Sequence, residues 1–295
     1  MDLRKLIRPN IAALSPYTTA RDEYSGGDIS VWLDANESPF DNGTNRYPDP
    51  RQKELKALIA KIKGVNPEQV FIGNGSDEAI DLAFRIFCRP GIDNAVSIAP
   101  TYGMYSVAAA INDVELREVR LNDDFTLDSQ RLLQVADSDT KLMWVCSPNN
   151  PTGNAFPLSQ LENLADSFNG ILVVDEAYAD FSEKGSLLHV LANHPNLIIL
   201  QTLSKAWGMA WLRLGLAFAS PEIAAVFGNV KYPYNISGIV QKEVAKRLAQ
   251  GADRQIETIK TERERLRREL PGCKTVDEVY PTDANFFLIR TNDAD

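Results

Sequence analysis

Four short, nearly continuous apolar runs, separated by segments of helix length, constrain most strongly how this chain can fold. They are NAVSIAP (94–100), KLMWVCSP (141–148), GILVVDEAY (170–178) and NLIILQTLS (196–204). Strands that are apolar on both faces are typical of parallel sheets covered by helices on both sides. The pattern therefore predicts an α/β protein with a mostly parallel central sheet and helices on both of its faces.

Polar clusters follow the predicted strands at the points where the strands end. The clusters are GNGSDE (73–78), PTYGMY (100–105), SPNNPTG (147–153), DEAY (175–178) and SKAWG (204–208). Open α/β sheets bind their ligands at the carboxyl ends of the strands. The sequence therefore predicts one crevice that all five clusters share.

The composition and charge of the chain exclude several classes of function. Its 31 basic and 40 acidic residues give a net charge of −9, which repels nucleic acid and anionic membranes, so we expect neither as a partner. Three cysteines without a C-x-x-C pair and only two histidines disfavour a disulfide framework, a metal centre and a Ser-His-Asp triad. No segment has the apolar length of a signal-peptide core or a membrane span, which predicts a cytoplasmic protein.

Lys205 is the first candidate for a chemical role. It follows a predicted strand end and Ser204, and Arg213 stands eight residues later, flanked by Gly208 and Gly215. A lysine forms an imine only after losing its proton, and a nearby cationic site or desolvation favours that loss. A surface lysine at the start of a helix would give the same local pattern.

Asp175 ends a buried apolar strand, where a carboxylate is costly unless it meets a cation. A protonated pyridine ring is such a cation, and Tyr178, three residues on, is placed to reach the phenolic oxygen of the same cofactor. An acidic pair after an apolar strand also resembles a Walker B motif. The G-x-x-x-x-G-K-[ST] motif that should accompany it is missing from the sequence.

Three further clusters offer groups that a phosphorylated, planar cofactor would use. The glycines of GNGSDE, with Ser76, Asp77 and a helix N-terminus behind them, form an anion cradle, although capping of the helix alone explains Ser76 equally well. Asn150 is an amide donor in a Pro-Thr-Gly turn, and Tyr102 offers a ring for stacking or for the core. Tyr47 lies in an extended segment that, taken by itself, predicts an ordinary loop.

Taken in order, these clusters resemble the aspartate aminotransferase fold family (fold type I) of pyridoxal 5'-phosphate (PLP) enzymes, and within it the histidinol-phosphate aminotransferases. The resemblance runs through nearly the whole chain. It includes the further segments LDANESPF (33–40), NRYPDP (45–50), TLSKAWGMAWLRLG (202–215), PYNIS (233–237) and PTDANFFLIR (281–290).

The resemblance implies PLP as the cofactor and gives a role to each candidate residue. Lys205 would hold PLP as a Schiff base and serve as the catalytic base, and Asp175 would pair with the pyridine nitrogen. Asn150 and Tyr178 would bond the 3'-oxygen of the ring. The phosphate group would be bound by Ser76, Asp77, Ser204 and Arg213.

Other residues receive their implied roles only through the same resemblance. Tyr102 would stack on or flank the ring. The protein would be a homodimer in which Tyr47 completes the phosphate site of the neighbouring subunit. The substrate side would be formed by Tyr17, Asn36 and Arg290.

The resemblance also implies a division of the chain. Residues 1–30 would form an N-terminal arm that contributes to the small domain, 31–222 the large PLP-binding domain, and 223–295 an interdomain helix and part of the small α/β domain. Family members continue through a further helix and a strand that carries a second substrate arginine. Because this chain ends at Asp295, we expect a small domain that is incomplete at its C-terminus.

The implied reaction moves an amino group between L-glutamate and imidazole-acetol phosphate, as in histidine biosynthesis. Rival enzymes on the same scaffold are an aromatic aminotransferase and a threonine-phosphate decarboxylase, which share the cofactor residues. A PLP-binding or regulatory protein without turnover is an alternative of another class, and a protein that does not bind PLP is a third.

Overall fold

The computed structural model describes residues 3–18 and 33–292. The strands are β1 (Val70–Asn74), β2 (Asn94–Ala99), β3 (Glu115–Arg120), β4 (Thr140–Cys146), β5 (Ile171–Asp175), β6 (Leu197–Thr202), β7 (Leu214–Phe218), β8 (Val276–Val279) and β9 (Ile289–Thr291). The α-helices are α1 (Pro9–Ala12), α2 (Lys53–Lys63), α3 (Ser76–Phe87), α4 (Met104–Ile111), α5 (Ser129–Val135), α6 (Leu158–Ser167), α7 (Pro221–Val230), α8 (Gly238–Leu248) and α9 (Asp253–Glu269).

Seven strands form one sheet in the order β1-β7-β6-β5-β4-β2-β3. The pairs from β6 through β5, β4 and β2 to β3 are parallel, while β7 runs antiparallel to both β1 and β6. The predicted α/β fold with a mostly parallel sheet is confirmed. The apolar runs did not indicate β3, an exposed edge strand with alternating charges, or β7, which lies inside the lysine-containing motif.

Alternating side chains of the central strands enter two separate apolar layers. In β5, Leu172 and Val174 pack on one face of the sheet with α2, α5 and α6, while Ile171 and Val173 pack on the other face with α3, α4 and α7. Both faces are therefore buried under helices. This double burial is the physical reason for the continuous apolar runs in the sequence.

The strand register brings the carboxyl ends of the central strands side by side. Cys146 of β4 is opposite Asp175 of β5, and Thr202 of β6 is opposite Gly215 of β7. Because β7 is antiparallel, it begins at the edge where β6 ends, and its Gly215 also pairs with Gly73 of β1. The ends of β1, β4, β5 and β6 and the start of β7 therefore lie along the same edge of the sheet.

The C-terminal part of the described chain packs beside this edge. Strands β8 and β9 form a separate antiparallel pair. The buried guanidinium of Arg263 in α9 donates to the carbonyl oxygens of Phe181 and Ala284, both at 3.1 Å. The side chain of Asp283 accepts a hydrogen bond from the backbone N–H of Ala155, at 2.9 Å. Helix α9 and the segment before β9 are thus fixed to the large sheet domain.

The predicted domain limits stay predictions. Leu3 and Ile7 of the predicted arm are buried in the apolar layer that contains α3, whereas residues 19–30 of that arm lie outside the described residues. None of the helices within 3–18 and 33–292 is both long and apolar enough to cross a membrane.

Candidate active site

A crevice at the carboxyl edge of the sheet brings together nine of the site residues that were predicted from the sequence. Its lining also contains three residues that sequence reasoning missed, Cys146, Ala177 and Thr202. The nominated residues are Ser76, Asp77, Tyr102, Asn150, Asp175, Tyr178, Ser204, Lys205 and Arg213.

Lys205 lies in the turn after β6 and projects a solvent-exposed side chain at the crevice. Its Nζ is 5.5 Å from the centroid of the Tyr178 ring. The turn is held by backbone hydrogen bonds, one of which runs from the N–H of Gly208 to the carbonyl of Lys205 at 3.0 Å. The backbone of Lys205 is therefore held by the turn, while its side chain remains accessible to a ligand in the crevice.

Asp175 is the buried acid of the crevice, with 3% of its surface exposed. The hydroxyl of Tyr105 donates to one carboxylate oxygen at 2.7 Å, and the N–H of Ala177 donates to the other at 3.0 Å. Burial raises the pKa of the Asp175 carboxyl to about 6, against the opposite effect of these two hydrogen bonds. A nearby cation would stabilise the charged form of this buried carboxylate. A protonated pyridine nitrogen would be such a cation.

Tyr105 is a site residue that sequence reasoning did not identify. It is buried in α4, stacks on Trp144 with the ring centroids 4.9 Å apart, and meets Tyr102 edge-on at 5.7 Å. Burial and the Asp175 carboxylate hold the pKa of Tyr105 well above its usual value, so its hydroxyl remains a donor. Its position three residues after Tyr102, in the same PTYGMY cluster, is the only signal the sequence offers.

The N-terminus of α3 and the start of β7 form a close-fitting anion cradle. Gly75 has φ +73°, and a Cβ at this position would lie 2.6 Å from the Arg213 guanidinium. A Cβ on Gly215 would lie 2.0 Å from the backbone N of Ser76. Only glycine permits these approaches, which leave the first N–H groups of α3 beside a guanidinium. Such a site suits a phosphate group.

The Asp77 carboxylate contacts both the anion cradle and Tyr102, an aromatic residue that lines the crevice. One oxygen accepts a hydrogen bond from the Arg213 guanidinium at 3.2 Å, and the other accepts from the Tyr102 hydroxyl at 3.1 Å. Burial and the Asp77 carboxylate raise the pKa of Tyr102 to about 12. Asp77 therefore orients both the cation and the ring that line the site.

Ser204 and Asn150 are held by local hydrogen bonds. The hydroxyl of Thr202 accepts from the N–H of Ser204 at 3.1 Å and donates to the Ser204 hydroxyl at 3.0 Å. The preceding Asn149 is fully buried, and its amide donates to the hydroxyl of Thr152 at 2.8 Å. Asn149 thus locks the turn that presents Asn150 to the crevice.

The other four nominated residues lie elsewhere in the described part of the chain. Tyr47 stacks on Tyr234 with ring centroids 4.5 Å apart, and 48% of its surface is exposed. Tyr17 is exposed beside a different cavity, and Asn36 is exposed with φ +53°.

Arg290, the fourth of them, lies on β9, and its guanidinium contacts two side chains of the small sheet region. It donates to the Tyr280 hydroxyl at 2.5 Å and forms an ion pair with Glu278 at 3.1 Å. Within residues 3–18 and 33–292, no group of three or more His, Cys, Asp or Glu side chains is placed to hold a metal ion.

Residues 20–295 match the family described as Aminotransferase class I and II. This chain belongs to that family. The aminotransferase is 52% identical, over 99% of its length and 85% of the relative, to a histidinol-phosphate aminotransferase of Bacteroides fragilis. It is 50% identical to one of Parabacteroides distasonis, over 100% of its length and 86% of that relative.

Solved structures with the same fold share less sequence with this aminotransferase. A histidinol-phosphate aminotransferase from Sinorhizobium meliloti, in complex with PLP, superposes with a TM-score of 0.77 at 24% identity, over 84% of this chain and 68% of that one. An L-threonine-O-3-phosphate decarboxylase from Porphyromonas gingivalis gives 0.69 at 22% identity, over 84% and 74%. The fold is therefore common to enzymes with different substrates.

PLP is the cofactor of this family, and the groups in the crevice fit it. The buried Asp175 suits the ring nitrogen, the glycine-lined cradle with Arg213 suits the phosphate, and Lys205 stands at the same edge.

Proposed function

We propose that this aminotransferase moves an amino group between L-glutamate and imidazole-acetol phosphate, with histidinol phosphate as the other amine. The substrate assignment rests on relatives of that name that are 50–52% identical over 99–100% of the chain. The PLP assignment is supported independently by the nine residues around the crevice.

Bound PLP supplies an electron sink for the carbanion that forms when the substrate loses its Cα proton. The chain supplies the binding and orientation. Asp175 would keep the ring nitrogen protonated, while the N-terminus of α3 and Arg213 would bind the phosphate. Tyr102 would flank the ring, and Asn150 and Tyr178 would bind its phenolic oxygen.

Lys205 has two successive tasks in the proposed reaction. Its Nζ would hold the bound cofactor, and the same amine would then move the proton of the substrate Cα. The turn that fixes the backbone of Lys205 would keep this amine close to the reacting carbon.

We propose a cytoplasmic homodimer in which Tyr47 binds the phosphate of the partner's cofactor. The position of Tyr47 supports this arrangement, since the residue is half exposed, stacks on Tyr234 and does not line the crevice of its own subunit. Tyr17, Asn36 and Arg290 stay candidates for the substrate side. Arg290 would have to exchange its contacts with Tyr280 and Glu278 for a substrate anion.

The decisive experiment offers the purified protein histidinol phosphate and 2-oxoglutarate and measures glutamate release. We expect turnover, and a decrease of at least about 100-fold in Lys205→Ala, which lacks the proton-transferring amine. Histidinol without phosphate and phenylalanine are the comparison substrates. Glutamate formed from phenylalanine but not from histidinol phosphate would reject the substrate. Bound PLP without any conversion by glutamate would indicate a protein without turnover.

A further inference from the structure

The side-chain amide of Asn235 lies between two elements that carry predicted phosphate-binding residues. Its nitrogen donates to the Glu78 carboxylate at 3.0 Å and to the carbonyl of Ile72 in β1 at 3.1 Å. Its oxygen accepts from the side-chain amide of Gln52 at 3.2 Å. Asn235 thus contacts the first turn of α3 on one side and the segment that follows Tyr47 on the other.

On the α3 side, Asn235 restrains a negative charge near the phosphate cradle. The first turn of α3 contains two acids, and Arg213 and Tyr102 already hold one of them, Asp77. The other acid, Glu78, is held by the backbone N–H of Asn74 and by Asn235. A Glu78 carboxylate that lost its amide partner would keep only the N–H of Asn74, so its negative charge would be less restrained near the bound phosphate, where like charges repel.

On the opposite side, Asn235 contributes to the position of the Tyr47 segment. Gln52 is fully buried in a left-handed conformation, and its amide donates both to Asn235 and to the carbonyl of Pro50 at 2.9 Å. The Tyr47 ring rests on Tyr234, the immediate chain neighbour of Asn235. Gln52 and Tyr234 therefore transmit the position of Asn235 to residues 47–50.

Lys231 adds further contacts at the junction between the 47–52 and 231–235 segments. Its nearly buried ammonium donates to the carbonyls of Pro50 at 2.9 Å, Tyr232 at 3.1 Å and Pro233 at 2.9 Å. All three donor positions of the ammonium are used within the junction. Hydrogen bonds therefore join the 47–52 and 231–235 segments, and Asn235 connects them to α3 through Glu78.

We propose that Asn235 is a positioning residue that aligns two phosphate-binding elements at once, the α3 N-terminus of its own subunit and the Tyr47 that serves the partner subunit. The inference rests on the proposed PLP-dependent homodimer. Both elements would bind the phosphate directly, whereas α3 reaches the ring only indirectly, through Asp77 and Tyr102. Loss of Asn235 should therefore weaken PLP binding and leave pyridoxal binding nearly unchanged.

The test compares the dissociation constants of PLP and pyridoxal in dimers freed of cofactor, by spectroscopic titration. For Asn235→Ala we expect an increase of about tenfold for PLP, the effect of one lost hydrogen bond to a charged group, and of less than about twofold for pyridoxal. Asn235→Asp should have the larger effect on PLP, because it sets a second carboxylate against Glu78. Adding Glu78→Gln to Asn235→Ala should restore part of the PLP affinity.

Asn196→Ala is the matched control. Asn196 is also a buried asparagine whose amide donates to backbone carbonyls, those of Ala165, Phe168 and Gly170, and it precedes β6 at the end of the sheet opposite the crevice. We expect Asn196→Ala to lower thermal stability without changing the ratio of the two affinities. Equal weakening of PLP and pyridoxal in Asn235→Ala, or an unchanged ratio, overturns the proposal. Failure of the wild-type protein to bind PLP would instead contradict the proposed function.

Hybrid dimers test the effect across the subunit interface. When one subunit carries Lys205→Ala, borohydride reduction fixes PLP only in the other subunit. Adding Asn235→Ala to the Lys205→Ala subunit then disturbs only the Tyr47 that reaches the labelled site. We expect labelling to require about threefold more PLP than in the hybrid without Asn235→Ala, a smaller effect because one phosphate contact is disturbed. If the two hybrids require the same PLP concentration, Asn235 does not position the Tyr47 that serves the partner subunit, and the proposal is overturned.

Discussion

At the scale of single residues, Asp175 illustrates how burial prepares a side chain for a cation. Two hydrogen bonds, from Tyr105 and from the backbone of Ala177, are insufficient to offset the loss of water around the carboxylate. The pKa of Asp175 therefore rises to about 6. A pyridinium nitrogen would provide the missing interaction, so the cofactor and the acid stabilise each other's charged forms.

Pyridoxal binding should weaken as the pH falls through about 6, because Asp175 becomes protonated in the free protein and loses its attraction for the ring nitrogen. Pyridoxal is preferred to PLP for this measurement, since its lack of a phosphate removes a second titrating group. Titrations between about pH 5 and 8 should give a pH dependence that Asp175→Asn abolishes. An identical pH profile in Asp175→Asn would contradict the role of this acid.

Asp175→Asn should also make the cofactor-free protein more stable above about pH 6. The folded-state pKa of Asp175 lies above the unfolded value of about 3.9, so the charged form is disfavoured in the folded protein. The resulting destabilisation is absent below about pH 4 and complete above about pH 6. Asp175→Asn should therefore raise the free energy of unfolding at pH 8 by on the order of 2–3 kcal/mol, measured by urea denaturation, and have little effect near pH 4.

At the scale of elements, the contact between α3 and β7 decides whether a phosphate can be bound. The backbone of Gly75 donates to the carbonyl of Arg213 at 2.6 Å, and Arg213 itself has the left-handed φ of +52°. The start of β7 thus lies directly against the start of α3. The arginine and the helix N–H groups meet only because no side chain separates the two backbones.

Gly215→Ala should abolish tight PLP binding and destabilise the protein by more than about 2 kcal/mol, because the new methyl group would meet the backbone of Ser76, which has no room to shift. Gly228→Ala is the control. Gly228 lies in α7 with open space around its Cα, so alanine should leave PLP binding unchanged and stabilise the helix by up to about 1 kcal/mol. Urea denaturation and PLP titration measure both effects. Wild-type behaviour of Gly215→Ala would show that the close approach is unnecessary.

At the scale of the whole molecule, a single chain leaves prominent aromatic side chains in water. Trp211 is 93% exposed, Tyr232 82% and Tyr47 48%. Trp211 lies two residues before Arg213 of the crevice, and Tyr47 and Tyr232 belong to the two segments that Lys231 and Asn235 connect. A dimer that covered these segments would bury aromatic surface, which commonly stabilises subunit interfaces.

Two inactive variants should restore each other's activity when they are mixed. Tyr47→Ala damages the phosphate site of the partner, and Lys205→Ala destroys the proton-transfer site of its own subunit. A hybrid dimer of the two contains one site with both residues intact, so mixed, refolded samples should recover up to about a quarter of the wild-type activity, because about half of randomly formed dimers are hybrids with one intact site. Activity that stays at the level of the separate variants would exclude a shared site.

The sequence by itself determined the sheet and most of the crevice. Strands buried on both faces must be apolar throughout, and polar residues at their carboxyl ends must converge, so the runs and the clusters behind them indicated the parallel sheet and nine lining residues. These are local consequences of burial. They are visible in a few consecutive residues, such as the buried strand that ends at Asp175.

Only the tertiary structure decided how those groups are paired. Tyr105 and Asp175 are 70 residues apart in the chain, and Asn235 and Glu78 are 157 apart, so no local pattern reveals their hydrogen bonds. The edge strand β3 escaped detection because its exposure allows alternating charges. A side chain's partner depends on which strands and helices become neighbours, and that is fixed by packing of the whole chain and not by the residues around it.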